Sequence, residues 1–413
     1  MPIAWISLAA LLTAVTLSMF TKVNVGVVSL AFAWIVGVYV GGLPLSTVIG
    51  AFPVQLFLTL AGVTLLFGMA HVNGTLERLA ARAVGLCYGN AGVIPVMFFL
   101  VALILSSIGP GNIATAALLA PMAMAIGHRA NVPPFLMILM VGNGAQAGAL
   151  SPFAPTGVIV NGVMARIGLA GVEWQTYANN LFAHLLVTFV AYFAFGGWRL
   201  FRRRNAQTEG AEVVEADAFE GRHWLTIAVL VSLVFVVVAF DMQVGMAALT
   251  GATILSLAGA ADEKDTIKRM PWNVVLMVCG VTVLIGVLER TQGMDLFTDL
   301  LARVSTPATV TGVIAFVTAV VSVYSSTSGV VLPAFLPTVP GLVERLGGGD
   351  PLAIASAMNV GGHLVDLSPL STIGALCLAA LPPTVDARKV FNQLLAWGLS
   401  MTVVGAIICW VLF

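Results

Sequence analysis

Long uncharged stretches separated by short charged clusters set the pattern of this chain. Residues 2–21, 23–76, 83–128, 130–165, 304–343 and 390–413 contain no Asp, Glu, Lys or Arg. A membrane-crossing helix needs about 20 apolar residues, so some stretches hold one span and others hold more. The pattern predicts spans near 2–20, 24–41 and 52–72, an amphipathic arm near 75–90, a long apolar stretch 92–127, and spans near 132–165 and 176–198. The same order then returns as 223–241, 244–260 and 271–288, an arm near 292–304, a long stretch 306–343, and spans 351–382 and 389–412. Between the two series lies a polar linker, 199–222, in which Arg199, Arg202, Arg203 and Arg204 precede Glu209, Glu212, Glu215 and Asp217. Its composition is that of a mobile loop.

The recurrence extends to single residues. Pro53, Gly62-Val63-Thr64, Leu66 and Gly68 return as Pro271, Gly280-Val281-Thr282, Leu284 and Gly286, all at an offset of 218. Val25-Gly26 returns as Val244-Gly245, Ser106-Ser107 as Ser325-Ser326, and Ser151-Pro152 with Gly157 as Ser368-Pro369 with Gly374. Two homologous halves with Gly/Pro-broken polar segments inside apolar stretches are the signature of a secondary transporter. The first half is 1–198, with scaffold spans in 2–41 and transport elements in 52–165. The second is 223–413, with scaffold spans in 223–260 and transport elements in 271–382.

The stretches 92–127 and 306–343 carry their polar residues in the middle, as SSIGPGN at 106–112 and YSSTSG at 324–329. Gly and Pro break a helix there, while Ser and Asn can satisfy the freed backbone groups. Each is expected to be a re-entrant hairpin, and irregular backbone at membrane depth is tolerated only when buried in protein or lining a cavity. Five crossings plus one hairpin per half make an all-α polytopic membrane protein whose second half is inverted. Placing the Arg-rich linker in the cytoplasm then puts 14 Lys and Arg inside and only Arg166, Arg290, Arg303 and Arg345 outside, as the positive-inside rule requires. Both termini fall outside, and the first span is expected to be retained rather than cleaved as a signal peptide.

Composition agrees: 59% of the chain is hydrophobic and 9% is charged, unlike a soluble globular protein. The net charge of zero, without a long basic run, gives no indication of a nucleic-acid partner. Cys87, Cys279, Cys377 and Cys409 are scattered singly, with neither metal spacing nor a disulfide framework. No zinc-binding HExxH, GxSxG elbow, P-loop or dinucleotide fingerprint is present, so no enzymatic chemistry is expected.

Candidate chemistry lies in the hairpin tips and in two further broken spans, GNGAQAGALSPFAPTG at 142–157 and NVGGHLVDLSPLSTIG at 359–374. Interrupted helices expose N–H groups that attract anions and carbonyls that attract small cations. The candidate substrate ligands are Ser106, Ser107, Asn112, Asn143, Gln146, Ser151, Thr156, Ser325, Ser326, Thr327, Ser328, His363, Ser368, Ser371 and Thr372. No Lys or Arg lies in these segments, so an anion must be held by helix ends, hydroxyls and a co-bound cation. Asp366 is the only formal charge between Pro351 and Val385, and half one has Ala149 at the equivalent position. An intramembrane carboxylate marks a functional site by default; here it could ligate a cation, carry a proton or hold nearby backbone amides. Asn112, Ser328 and Asp366 form the candidate cation-coupling set, with sodium near Asn112 and Asp366 as the candidate ion. His363 occupies the place of Gln146. His71, His128, His184 and His223 are expected to be interfacial or structural.

With AFPVQLFLTLAGVTLLFGMAHVNGTLE at 51–77, GNIATAALLAP at 111–121 and GNGAQAGALSPFAPTGVIVNG at 142–162, the chain resembles the malonate/dicarboxylate carrier (MatC-like) family. That family belongs to the ion-transporter superfamily and is related to the divalent-anion/sodium symporters, whose hairpin tips carry Ser-Asn-Thr. The counterparts here are Gly111-Asn112-Ile113 and Thr327-Ser328-Gly329, of which only Asn112 matches. The resemblance implies a homodimer in a bacterial inner membrane, with lipid around it and a transport domain that moves as an elevator. The expected function is coupled transport of small dicarboxylates on a sodium or proton gradient. A cation/proton antiporter, and the membrane subunit of a binding-protein-dependent carrier, remain alternatives.

Overall fold

In the computed structural model, residues 2–21, 23–85, 90–201, 218–240 and 242–413 are described, and among them every regular element is helical. Lys22, Cys87 and most of the linker, including Arg202–Arg204, Glu209, Glu212, Glu215 and Asp217, lie outside the described residues. Among the described residues, six helices are long and apolar enough to cross a membrane, and five further apolar helices are shorter.

The first half opens with α1 (Pro2–Phe20) and α2 (Val25–Trp34), which continues as a π-helical turn over Ile35–Val40. A short α3 (Leu45–Gly50) leads into α4 (Val54–Val72) and the amphipathic α5 (Thr75–Gly85). The long apolar stretch is two helices, α6 (Val93–Ile108) and α7 (Gly111–Arg129), and the next span is likewise split into α8 (Pro134–Gly148) and α9 (Pro155–Arg166). α10 (Glu173–Ala194) and the short α11 (Gly197–Leu200) close this half.

The second half runs α12 (Gly221–Phe240), α13 (Val244–Leu257), α14 (Glu263–Arg269), α15 (Trp272–Arg290) and α16 (Gly293–Ala302). α17 (Val310–Ser322) then gives way to a π-helical turn at Thr327–Val331, α18 (Leu332–Phe335) and α19 (Val339–Leu346). The last broken span is α20 (Pro351–Leu364) and α21 (Thr372–Ala379), followed by α22 (Ala387–Leu412). The hydropathy pattern misses α3 and α14, which are too short to leave a periodic signal; α14 is also charged, and its Asp262 cap receives the Asp265 N–H at 2.8 Å.

Recurring residues make matching contacts. Gly26 on α2 lies against Gly280 on α15, and Gly245 on α13 lies against α4 beside Gly62. A Cβ on Gly26 would sit 2.1 Å from the Leu276 carbonyl oxygen, and one on Gly62 would sit 2.3 Å from that of Gly245. Lipid supplies little hydrophobic drive between helices, so close backbone approach at small residues supplies the packing. The second span of each half thus seats on the third span of the other.

The two broken spans are also built alike. In the first, Ser151 N–H bonds the Gly148 carbonyl at 3.1 Å; in the second, Ser368 N–H bonds that of Val365 at 2.9 Å. A Cβ on Gly157 would meet the Ser151 carbonyl oxygen at 1.9 Å, and one on Gly374 would meet the Ser368 oxygen at 2.0 Å. The Ser-Pro…Gly recurrence is therefore a turn closed by a glycine under a serine carbonyl.

Candidate functional site

The turn between α6 and α7 aims Asn112 inward. Gly111 adopts φ +77°, a left-handed conformation that favours glycine, and a Cβ on Gly109 would lie 1.9 Å from the Phe67 ring. The start of α7 abuts the start of α9, with the Gly111 Cβ position 2.9 Å from the Pro155 ring. Thr156, in the first turn of α9, donates its hydroxyl to Asn112 Oδ1 at 3.4 Å, and the same oxygen accepts Ile113 N–H at 3.0 Å. Two helix N-termini therefore meet at one spot, where their exposed N–H groups and dipoles favour negative charge.

A chain of side-chain bonds leads from that spot into the other half. Asn112 Nδ2 donates to Gln146 Oε1 at 2.7 Å, and Gln146 Nε2 donates to Asp366 Oδ2 at 2.7 Å. Thr327, at the second hairpin tip, donates its hydroxyl to Asp366 Oδ1 at 2.7 Å and to the Gly362 carbonyl at 3.3 Å. Ser371 donates to the Asp366 carbonyl and, at 2.8 Å, to that of Ser368. Both hairpin tips and both broken spans are thus connected through Asp366, whose two carboxyl oxygens each accept a bond.

Several candidate ligands fasten helices instead. Ser106 donates to the Ala145 carbonyl at 2.7 Å, and Ser151 donates to that of Ser107 at 2.6 Å. These bonds hold the first hairpin against the first broken span. Ser107 bonds the Leu103 carbonyl at 2.7 Å and meets the Tyr177 hydroxyl at 2.9 Å. Ser326 caps the π-helical turn by accepting Gly329 N–H at 3.2 Å, and Ser368 accepts Leu370 N–H at 3.3 Å. Asn143 bonds its own helix at the Leu139 carbonyl. Ser328 is buried without a bond to the network, Ser325 keeps a buried hydroxyl oxygen without a protein partner, and Thr372 is exposed. His363 bonds the Asn359 carbonyl through Nδ1 at 2.7 Å and so does not reproduce the cross-chain bonds of Gln146.

The span expected near 176–198 is α10, and sequence reasoning missed its buried polar face. Thr176, Asn180 and His184 recur four residues apart on it and are fully buried, and Asn180 Nδ2 donates to the Gln146 carbonyl at 2.9 Å. Of the two places expected for His184, interfacial or structural, the interior one holds. The four-residue spacing of polar residues in a span of mean hydropathy only 1.2 was the available signal. Among the described residues no group of three or more His, Cys, Asp or Glu could hold a metal ion.

A cavity of about 1190 Å³ opens beside the first broken span at Pro152 and Phe153. Arg166 and Arg290 line it, together with Glu173 and Glu289, Gln55, Gln243 and Pro337 of the second hairpin. Two of the four basic residues that the charge pattern places on the exterior side thus share one vestibule.

The structure is similar to that of the Alcanivorax borkumensis YdaH transporter, with a TM-score of 0.60, 18% identity, and coverage of 89% of this chain and 87% of that one. It is also similar to Neisseria gonorrhoeae MtrF, described with a class of antimetabolite efflux pumps, with a TM-score of 0.57, 12% identity, and coverage of 92% and 84%. At these identities the likeness is one of fold. No curated protein matches the sequence. Residues 1–149 match the model of the dicarboxylate carrier protein MatC N-terminus, a segment that ends with α8 and contains the first hairpin, Asn112 and Gln146. Over that segment, about a third of its length, the chain is similar to the MatC dicarboxylate carrier family.

Proposed function

We propose that this protein is a secondary active transporter of small organic anions, three- or four-carbon dicarboxylates, driven by a sodium or proton gradient. The observation that carries the reading is the meeting of the α7 and α9 N-termini at Asn112 and Thr156, linked through Gln146 to Asp366. The helix ends supply an electropositive seat without an arginine. A carboxylate beside a di-anion is unfavourable unless its charge is compensated. Neutralising Asp366, by a proton or by a cation, therefore favours substrate binding, which is the physical basis for coupling.

The matching Gly26–Gly280 and Gly62–Gly245 contacts support a pair of inverted repeats. In this reading α1, α2, α12 and α13 form the scaffold, and the hairpins with the broken spans move against it as an elevator in a homodimer. The vestibule at Arg166 and Arg290 would be the exterior approach.

The test is counterflow in proteoliposomes with labelled malonate and succinate, together with a thermal-shift screen of mono-, di- and tricarboxylates with and without sodium. Acceleration of labelled uptake by unlabelled dicarboxylate inside, and a Tm rise that follows RT ln(1 + [L]/Kd), are expected. A protein that exchanges neither compound and is stabilised by no dicarboxylate is not this carrier.

A further inference from the structure

Beyond Asp366, the interior contains a second group of polar atoms that the dicarboxylate site does not use. On α10, Asn180 Oδ1, His184 Nε2 and Thr188 Oγ are buried without a protein partner, at positions four residues apart. On α20, Asn359 Oδ1 and His363 Nε2 are in the same condition, also four apart, and α8 adds Asn143 Oδ1. The helices that carry them are bonded together by Asn179 Nδ2 to Ser356 Oγ at 2.9 Å and by Asn180 Nδ2 to the Gln146 carbonyl at 2.9 Å. These six atoms, on three helices that pack together, call for partners that the protein itself does not supply. Polar groups of this kind are satisfied by internal water when the protein supplies no partner.

The two histidines have a defined chemistry. His184 Nδ1 faces the Asn180 carbonyl at 3.0 Å, and His363 Nδ1 faces the Asn359 carbonyl at 2.7 Å. A carbonyl only accepts, so in each neutral ring Nδ1 carries the hydrogen and Nε2 keeps its lone pair. Both side chains are fully buried, on helices α10 and α20 that pack against each other. His363 is in turn one helical turn from Asp366, whose N–H bonds the His363 carbonyl at 3.2 Å. Asp366 and His363 are thus titratable groups one helical turn apart, with Asp366 partly buried, and His184 is a third on the helix packed against α20.

We propose that this seam is a hydrated proton path, and that the ion coupled to transport is a proton shared between Asp366 and the His363–His184 pair. The inference rests on the carrier reading above and specifies its coupling ion. The step moves one proton through intervening water. The O–H bond of the Asp366 carboxylic acid breaks, an N–H bond forms at Nε2 of His363 or His184, and a carboxylate and an imidazolium remain.

Few other charges bear on the pair. No titratable side chain lies on α8 or α17. Tyr177 and Tyr192 of α10 are bonded to Ser107 and to the Gly92 and Gly197 carbonyls, and Cys409 of α22 faces the Ala357 carbonyl. The remaining charges of the packed elements sit at or near helix ends: Arg166, Glu173, Arg199, Glu344, Arg345, Arg388 and Lys389.

The experiment compares wild-type protein with His184→Gln, His363→Gln and the double variant in proteoliposomes, using labelled malonate and succinate. The expected result is loss of uptake driven by an imposed pH gradient in the double variant and in His184→Gln, with counterflow exchange kept at the wild-type level in His184→Gln. Gradient-driven uptake by the double variant equal to wild type overturns the proposal. Absence of counterflow in the wild type instead overturns the dicarboxylate reading. Should the variants fail to fold, NMR of isotope-labelled histidine in the wild type decides the question. A change of protonation at His184 or His363 between about pH 5 and 8, altered by succinate, is expected. Two rings that keep the neutral form throughout, with or without succinate, overturn it.

Discussion

Gln146 donates through Nε2 to Asp366 Oδ2 across 2.7 Å, joining residues 220 positions apart. Through its other amide atom, Gln146 accepts from Asn112. One side chain thus reads both the first hairpin tip and the carboxylate of the second broken span. Gln146→Leu removes both bonds and leaves a partly buried carboxyl with one donor fewer, at a cost of about 1.5–3 kcal/mol if Asp366 is ionised. A lower Tm and reduced dicarboxylate exchange are expected; a variant with wild-type values of both would show that the bridge is incidental.

Asp366→Asn replaces the carboxyl with a neutral group of the same shape, and its amide can still accept from Thr327. Exchange of unlabelled for labelled succinate should continue, while accumulation against a gradient should stop and the pH profile flatten. Retained pH dependence together with lost sodium stimulation would identify Asp366 as a sodium ligand. Wild-type profiles in both would make it structural.

Ser106 and Ser151 bond backbone carbonyls between the first hairpin and the first broken span, so their replacement by alanine should act on stability. Each loss should cost about 0.5–1.5 kcal/mol and leave the KM for exchange near wild type. Thr327→Val, by contrast, removes a donor to Asp366 and should change transport. Equal KM changes in all three variants would place the substrate against the serines after all.

Gly26 and Gly280 allow α2 and α15 to touch through their backbones, and a Cβ on either would lie 2.1 Å from a carbonyl oxygen. Gly280→Val should destabilise the protein by on the order of 1–3 kcal/mol or more, seen as a lower Tm in detergent. Gly50→Ala, where nothing lies within 4 Å, serves as the neutral control. Equal Tm values for the two variants would refute the close seat.

The expected topology is tested by single cysteines in a background lacking the natural ones. Asn205→Cys should react with an impermeant reagent only from the cytoplasmic side, and Leu169→Cys only from the exterior. Labelling of residue 205 from outside would reverse the orientation.

Most of the helices, though not α3 and α14, and their breaks are legible in the sequence alone. Uncharged length, Gly/Pro interruptions and a recurrence at an offset of 218 are properties of neighbouring residues, and lipid enforces them because every backbone polar group must find a partner. The split of 92–127 at Gly109-Pro110 and the turns at Ser151 and Ser368 were legible for that reason. Segment composition also marked Asn112, Gln146, Thr327 and Asp366 as candidates. Which of the marked side chains work together is set by contacts between distant segments. A hydroxyl can bond a carbonyl of an adjacent helix as readily as a ligand, so Ser106 and Ser151 became fasteners, while Thr156 and Thr327 joined the network. The partnership of Gln146 with Asp366 depends on how two separately folded breaks are brought face to face, and no local pattern encodes that approach. The seam along α10 arose in the same way: its polar residues look like one face of an ordinary span until α8 and α20 close over them.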